Sequence, residues 1–211
     1  ERTVVSQLIR SAGVFFTSEW WRGRRLYGAK LIPNRGAWLE FETDAQGALW
    51  VKIDRKRKVA VTSLLRAFGY STTEEIKTLF TAVDLRTDFK YLDATLAKDA
   101  AKNTDDGFIE LYKRIRPGDL ATVDNARSLV LAMFFNFDRY DLGDVGRYKF
   151  LQKFGRPAAE IRREEIESRD ARILHKEDNF QFMSAVEKAL FTKWLDASEW
   201  KKLNAGEKTE Y

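Results

Sequence analysis

Through residues 1–60 apolar and polar positions alternate with a period of two, the pattern of strands that cover one face only. Rich in β-branched and aromatic residues, this region predicts strands at 3–9, 26–33, 37–43 and 48–54. Asp44-Ala45-Gln46-Gly47 supplies the turn between the last two, with Gly47 free to take a positive φ. In Trp38-Leu39-Glu40-Phe41, Leu39 and Phe41 share one face while Trp38 shares the wetter one with Glu40. An indole there calls for something to stack on.

From about residue 61 the period lengthens. Val61 to Phe68 reads as a short helix stopped by Gly69, and Ser71 or Thr72 caps a second with Glu74 and Glu75 placed for a capping box. Thr104-Asp105-Asp106 opens a helix through Ile109, Leu111, Tyr112 and Ile115 that closes at Pro117-Gly118. Thr122 begins another, with Ala126, Leu129, Val130 and Met133 on one face, running to Phe134-Phe135. Past Gly155 the chain is strongly charged and helical, with an amphipathic segment at 180–203 carrying Phe182, Val186, Leu190, Trp194 and Leu203. The expected fold is α+β: a small antiparallel β-sheet followed by packed helices, with a helical C-terminal tail.

Composition narrows the chemistry. There is no cysteine, so disulfides and thiolate metal sites are excluded, and the single histidine, His175, reads as an exposed bystander that rules out a histidine pair. The chain lacks a phosphate-cradling glycine loop, a Gly-x-Ser-x-Gly elbow and the clustered aspartates of two-metal catalysis. Asp138 and Asp141 have basic and aromatic neighbours, which suits ion pairing better than metal binding. Independent catalysis is therefore not expected. No apolar run reaches the roughly 18–20 residues of a membrane span, and no signal-peptide pattern opens the chain. A start at Glu1 inside a strand-like run reads as a segment cut from a longer polypeptide.

Charge adds a positive signal. The net charge is only +5, but Lys and Arg cluster at 22–25, 52–58 and 147–156, and the chain carries six Trp. Local basic surfaces with aromatic rings suit a polyanion such as nucleic acid, since Arg holds phosphates and Trp stacks on bases, although charge clusters also occur as plain solvated surface and rings as core. In Ile53-Asp54-Arg55-Lys56-Arg57-Lys58 a carboxylate precedes four cations. It can accept hydrogen bonds from a base edge, or it can simply pair with Arg55 at the surface.

Order and spacing of several motifs identify a family. Val4-Val5-Ser6-Gln7-Leu8-Ile9-Arg10-Ser11, then Ala29-Lys30-Leu31-Ile32-Pro33-Asn34-Arg35-Gly36-Ala37-Trp38, then Val51 to Lys58 and Leu64-Leu65-Arg66-Ala67-Phe68-Gly69-Tyr70 come first. Tyr112-Lys113-Arg114-Ile115-Arg116-Pro117-Gly118, Ala126-Arg127-Ser128-Leu129 and Asp138-Arg139-Tyr140-Asp141-Leu142-Gly143 to Phe150 follow. In this order they resemble the lobe region of the bacterial DNA-directed RNA polymerase β subunit, with the lobe at 1–155 and a charged, helical extension or lineage-specific insert at 156–211.

The resemblance implies one pincer of a DNA cleft within a multisubunit nucleotidyltransferase. That pincer contacts non-template-strand DNA during transcription and carries no catalytic centre of its own. The implied partners are DNA, the rest of β, β′, α, ω and a sigma factor, with no membrane. No cofactor belongs to this chain, the catalytic magnesium lying in other regions, and the setting is the cytoplasm, at the nucleoid. The family's pocket for a flipped non-template guanine is matched by Arg10, Trp38, Asp54, Arg55 and Arg139. A gate loop facing the clamp is matched by Asn136, Phe137, Asp138, Tyr140, Asp141 and Leu142. Departures exist: family prolines are missing at Ala12, in Val59-Ala60 and in Leu120-Ala121, which loosens those turns. A second reading is a stand-alone lobe-like module that binds polymerase, sigma factor or single-stranded DNA in trans.

Overall fold

In this computed structural model the described residues are 2–5, 9–81, 90–154 and 158–174. The alternation read from the sequence determines which face of the sheet is covered. On β3 (Leu39–Thr43) and β4 (Leu49–Ile53), Leu39 lies opposite Ile53, Phe41 opposite Val51 and Thr43 opposite Leu49, and all six are buried. The other face carries Glu40 opposite Lys52 and Glu42 opposite Trp50. There Lys30 pairs with Glu40 at 2.8 Å and Lys52 with Glu42 at 2.6 Å. With β1 (Gly13–Trp21), β2 (Arg24–Ile32) and β5 (Val59–Ala60), these strands form an antiparallel meander in the order β1-β2-β3-β4-β5.

The strand expected at 3–9 does not form over its described residues, 3–5 and 9. Val4, Val5 and Ile9 are exposed and outside any strand, and the first strand among the described residues is β1. Alternation without a neighbouring strand leaves the backbone groups unpaired, so the pattern alone makes no strand. The sequence reading missed β1 because the doublets Phe15-Phe16 and Trp20-Trp21 blur the period of two.

The Asp44 turn forms as expected, with Gly47 at φ 80°. The Asp44 carboxylate accepts from the amides of Gln46 and Ala48 at 2.9 Å each, from Trp50 Nε1 at 3.0 Å and from Lys98 at 2.7 Å. Burial opposes its ionisation. The hydrogen bonds from Lys98, Trp50, Ala48 and Gln46 outweigh that and hold the pKa at about 2, against an ordinary 3.8. A depressed folded-state pKa gives stability that is full above the unfolded value and lost as pH falls through the folded one. We therefore expect Asp44 to contribute about 2 kcal/mol, lost as the pH falls from about 4 toward about 2. Urea titrations of the parent and Asp44→Asn should converge over that window. Parallel pH profiles would refute the assignment.

Helices cover the buried face. The segment α1 (Val61–Ala67) is buried at every position, followed by Gly69 at φ 106°. The helix α2 (Thr73–Phe80) carries a full capping box between Thr72 and Glu75, which decides for Thr72 over Ser71. After α3 (Tyr91–Leu96) come α4 (Thr104–Ile115), capped by Asn103, and α5 (Val123–Phe134), capped by Thr122. Gly107 lets α4 lie on α1, since a Cβ there would sit 2.8 Å from the Ser63 carbonyl and 2.9 Å from the Ala67 nitrogen. Phe134 stacks edge-on against Phe68 at 5.7 Å and tilts against Tyr140 at 5.9 Å, tying α5 to the loop that follows it.

The helix α6 (Gly143–Lys153) was not foreseen. Its buried stripe runs through Gly143, Gly146, Arg147, Phe150 and Leu151, and glycine and arginine are not residues that mark an apolar face. Beyond a 3₁₀ turn at Ala158–Glu160 come two single-turn helices, α7 (Glu164–Glu167) and α8 (Arg169–Arg172). The sequence segment beyond 156 is thus fastened to the preceding fold as far as Leu174: Leu174 is buried, and the Arg172 carbonyl accepts from the Leu142 amide at 2.8 Å. His175 and the amphipathic segment at 180–203 lie outside the described residues.

Candidate functional site

Three loops meet at one end of the sheet. The first, Asn34 to Trp38, leads into β3. The second, Asp54-Arg55, follows β4. The third, Asn136 to Leu142, joins α5 to α6.

Register brings the first two together. Leu39 lies opposite Ile53, so the next pair outward is Trp38 and Asp54, and the Asp54 amide donates to the Trp38 carbonyl at 2.8 Å. Asp54 and Arg55 both adopt left-handed backbone, at φ 49° and 60°, and the Lys56 amide closes the turn on the Ile53 carbonyl at 3.0 Å. Positive φ at both central residues is a demand usually met by Asn-Gly or Asp-Gly, and here an arginine meets it. Its guanidinium lies over the Trp38 ring, 4.7 Å from the centroid. Among the described residues Asp54 forms no ion pair with Arg55, so its carboxylate is left exposed to solvent. The surface-pair reading of these two residues is thereby replaced by a stacked Arg-Trp pair beside a free carboxylate.

The third loop is held by backbone. Arg35 and Asp141 exchange both amide bonds, at 3.0 and 2.8 Å, and Arg35 Nη2 donates to the Phe137 carbonyl at 2.9 Å. Gly36 makes the approach possible, because at its φ of 124° a Cβ would stand 2.8 Å from the Tyr140 ring and 2.9 Å from the Arg139 carbonyl. Asp141 is buried and clamped by Arg172 through two bonds of 2.8 and 2.7 Å, with the Gly143 amide at 2.7 Å. Burial alone would raise its pKa. The Arg172 bonds, the Gly143 amide and the charges of Arg172 and Arg35 reverse that and hold the carboxyl below its ordinary value. Asp141 is thus an anchor.

The residues picked from the sequence therefore divide. Asp54 and Arg139 line one cleft of 190 Å³, along with Gly36, Ala37, Leu129 and Met133. Trp38 and Arg55 adjoin it through the Asp54 turn. Arg10 stands apart from these contacts, exposed, with its guanidinium 4.9 Å from the Phe15 ring centroid. In the loop of 136–142, Asn136, Asp138 and Arg139 are exposed and Phe137 is half-buried. Tyr140 and Leu142 are 0% exposed and belong to the core. The guanidinium groups of Arg35, Arg169 and Arg172 surround the Phe137 ring at 5.7, 5.1 and 5.4 Å.

Residues 10–170, a span that takes in all three loops, match the family described as RNA polymerase Rpb2, domain 2. The chain belongs to that family. It is 44% identical over 199 residues to the DNA-directed RNA polymerase subunit beta of Staphylococcus carnosus (strain TM300). Identity is 43% to the subunits of the same name from Staphylococcus saprophyticus and Staphylococcus aureus (strain JH9). In each case 89% of this chain is covered and 16% of the relative, so the chain spans about one-sixth of the length of these relatives.

Within the family frame, two walls of the cleft escaped the sequence reading. Leu129 and Met133 share a helical face with Ala126 and Val130, which suggests core for all four. Only Ala126 and Val130 are fully buried, and Leu129 and Met133 reach the cleft. Among the described residues no group of three or more His, Asp or Glu side chains is placed to hold a metal ion, and no helix is long and apolar enough to cross a membrane.

Proposed function

We propose that this chain is the lobe module of the β subunit of a DNA-directed RNA polymerase, forming part of the DNA cleft and contacting the non-template strand. It has no catalysis of its own, and the enzyme's catalytic magnesium is held by other regions. It works in the cytoplasm, at the nucleoid, with the rest of β, β′, α, ω and a sigma factor as partners. Its cleft receives one unstacked guanine, and the exposed part of the 136–142 loop faces the DNA path.

One observation carries the reading: a Trp ring already stacked by Arg55, hydrogen-bonded through its carbonyl to a turn whose free carboxylate shares a cleft with Arg139. An aromatic plane supports a base, and a carboxylate accepts hydrogen bonds from the N1–H and N2–H₂ of guanine. Arginines at 55 and 139 suit the backbone. The guanidinium of Arg139 has no ion-pair or hydrogen-bond partner among the described residues, which leaves its donors for a ligand.

The test uses polymerase assembled with the complete β subunit. Trp38→Ala should shorten the lifetime of complexes on a bubble template carrying a non-template guanine by about ten-fold, while nucleotide addition on a preformed scaffold stays near normal. Equal losses in both assays would refute the pocket.

A further inference from the structure

Arg139 lines a second cleft as well. This one, of 380 Å³, lies between α4 and α5 and is lined by Tyr112, Arg116, Asn125 and Ser128 among others, with Leu129 and Arg139 shared with the first. We propose that it seats a phosphodiester group of the same DNA strand whose base enters the first cleft. This inference rests on the lobe reading above and adds a site to it.

The chemistry of the two clefts is split. The first holds the one carboxylate, Asp54. The second is lined by two guanidinium groups, an amide and hydroxyls, with no carboxylate. Such a set attracts an anion and holds it by charge-assisted hydrogen bonds, Arg being the side chain best shaped to grip phosphate oxygens in pairs. Neither arginine is held by a close partner among the described residues. Arg139 has no partner among the described residues, and the ion pair of Arg116 is a loose one at 4.0 Å to Asp119, both side chains being 57% exposed. A loose, exposed pair of this kind yields readily to a competing phosphate.

Contiguity across Arg139 makes a polynucleotide the fitting occupant. A strand with a base in the acceptor-bearing cleft has its backbone within reach of the donor-bearing one. A phosphate held there fixes register without reading sequence, so the neighbouring base is the one presented to Trp38 and Asp54. Arg139, on the common wall, serves both.

Because Arg139 touches both clefts, the test uses Arg116 and Ser128, which line only the second. Both are exposed, so substitution there leaves the core intact. In polymerase carrying complete β, Arg116→Ala and Ser128→Asp should each shorten complex lifetime on a bubble template by about five- to ten-fold. The loss should be equal whether the non-template base is guanine or not, and the log–log salt slope should flatten by about one for Arg116→Ala. A scan of single neutral methylphosphonate linkages along the non-template strand should find one position that weakens wild-type binding and is silent in Arg116→Ala.

Wild-type lifetimes, slope and methylphosphonate profile in both variants would overturn the proposal. So would displacement of the strand by inorganic phosphate at constant ionic strength, which would make the free anion the occupant. The guanine pocket is judged separately, by base preference and by Trp38→Ala. Absence of any guanine preference in the wild type, with the methylphosphonate signal intact, would refute the pocket and leave the phosphate seat standing.

Discussion

Arg66→Ala should cost about 3–5 kcal/mol of folding stability, a large share of the roughly 5–15 kcal/mol a domain usually has. Arg66 is only 3% exposed and lies on α1, where every residue is buried. Its Nε bonds Asp99 at 3.2 Å, one terminal nitrogen reaches the carbonyls of Ser71 and Lys102, and the other bonds Thr73 Oγ1 at 2.9 Å. Asp99 is equally buried, and also accepts from Ser63 Oγ at 2.5 Å and the Ala101 amide at 3.0 Å. Removing the guanidinium strands a carboxylate and two carbonyls in a low-dielectric interior, and the penalty is mostly theirs. Urea unfolding should show it directly. Arg66→Lys keeps the charge but loses the fork, and should recover only part. The double variant Arg66→Ala, Asp99→Ala should be less destabilised than the sum of the singles. A loss below about 1 kcal/mol would mean that water replaces the guanidinium.

Arg172→Ala should cost about 3 kcal/mol at neutral pH by orphaning Asp141. The residual Arg35 contact, at 3.9 Å, is too long to replace a bidentate clamp. This loss carries a pH signature. Parent Asp141 titrates below 3.8, so the stability it supplies is full above that value and disappears as pH falls through the depressed pKa. With Arg172 gone, burial is opposed by less and the carboxyl shifts upward. The gap between parent and variant should therefore be widest at neutral pH and close below about pH 4. A gap independent of pH would assign the loss to packing of the arginine stem. Because Asp141 pins the loop that carries Arg139, the same variant should also blunt guanine retention.

How much of this could be read in advance depends on whether a feature is local. The strands near 26–54 and the helices capped by Thr72 and Thr122 declare themselves in a few consecutive residues. The strand β1, and the lack of one at residues 3–5, do not, because pairing partners decide between two stretches of similar composition. The helix α6 hides behind glycines that serve close packing. The Asp141–Arg172 clamp joins residues 31 apart through a charged run that reads as solvated surface. At the site, Trp38 and Asp54 stood out by type and by family motif, whereas Leu129 and Met133 are apolar helix residues that any pattern assigns to the core. Their role depends on where the 136–142 loop stops covering α5.

The left-handed pair Asp54-Arg55 has a consequence for how this surface can change over time. Holding a non-glycine residue there costs roughly 1–2 kcal/mol, and that cost falls on the residues that carry the free carboxylate and the stacked guanidinium. Glycine at position 55 would relieve that cost and keep the turn, but it would remove the guanidinium that lies over Trp38. The turn thus trades local stability for the two side chains it presents.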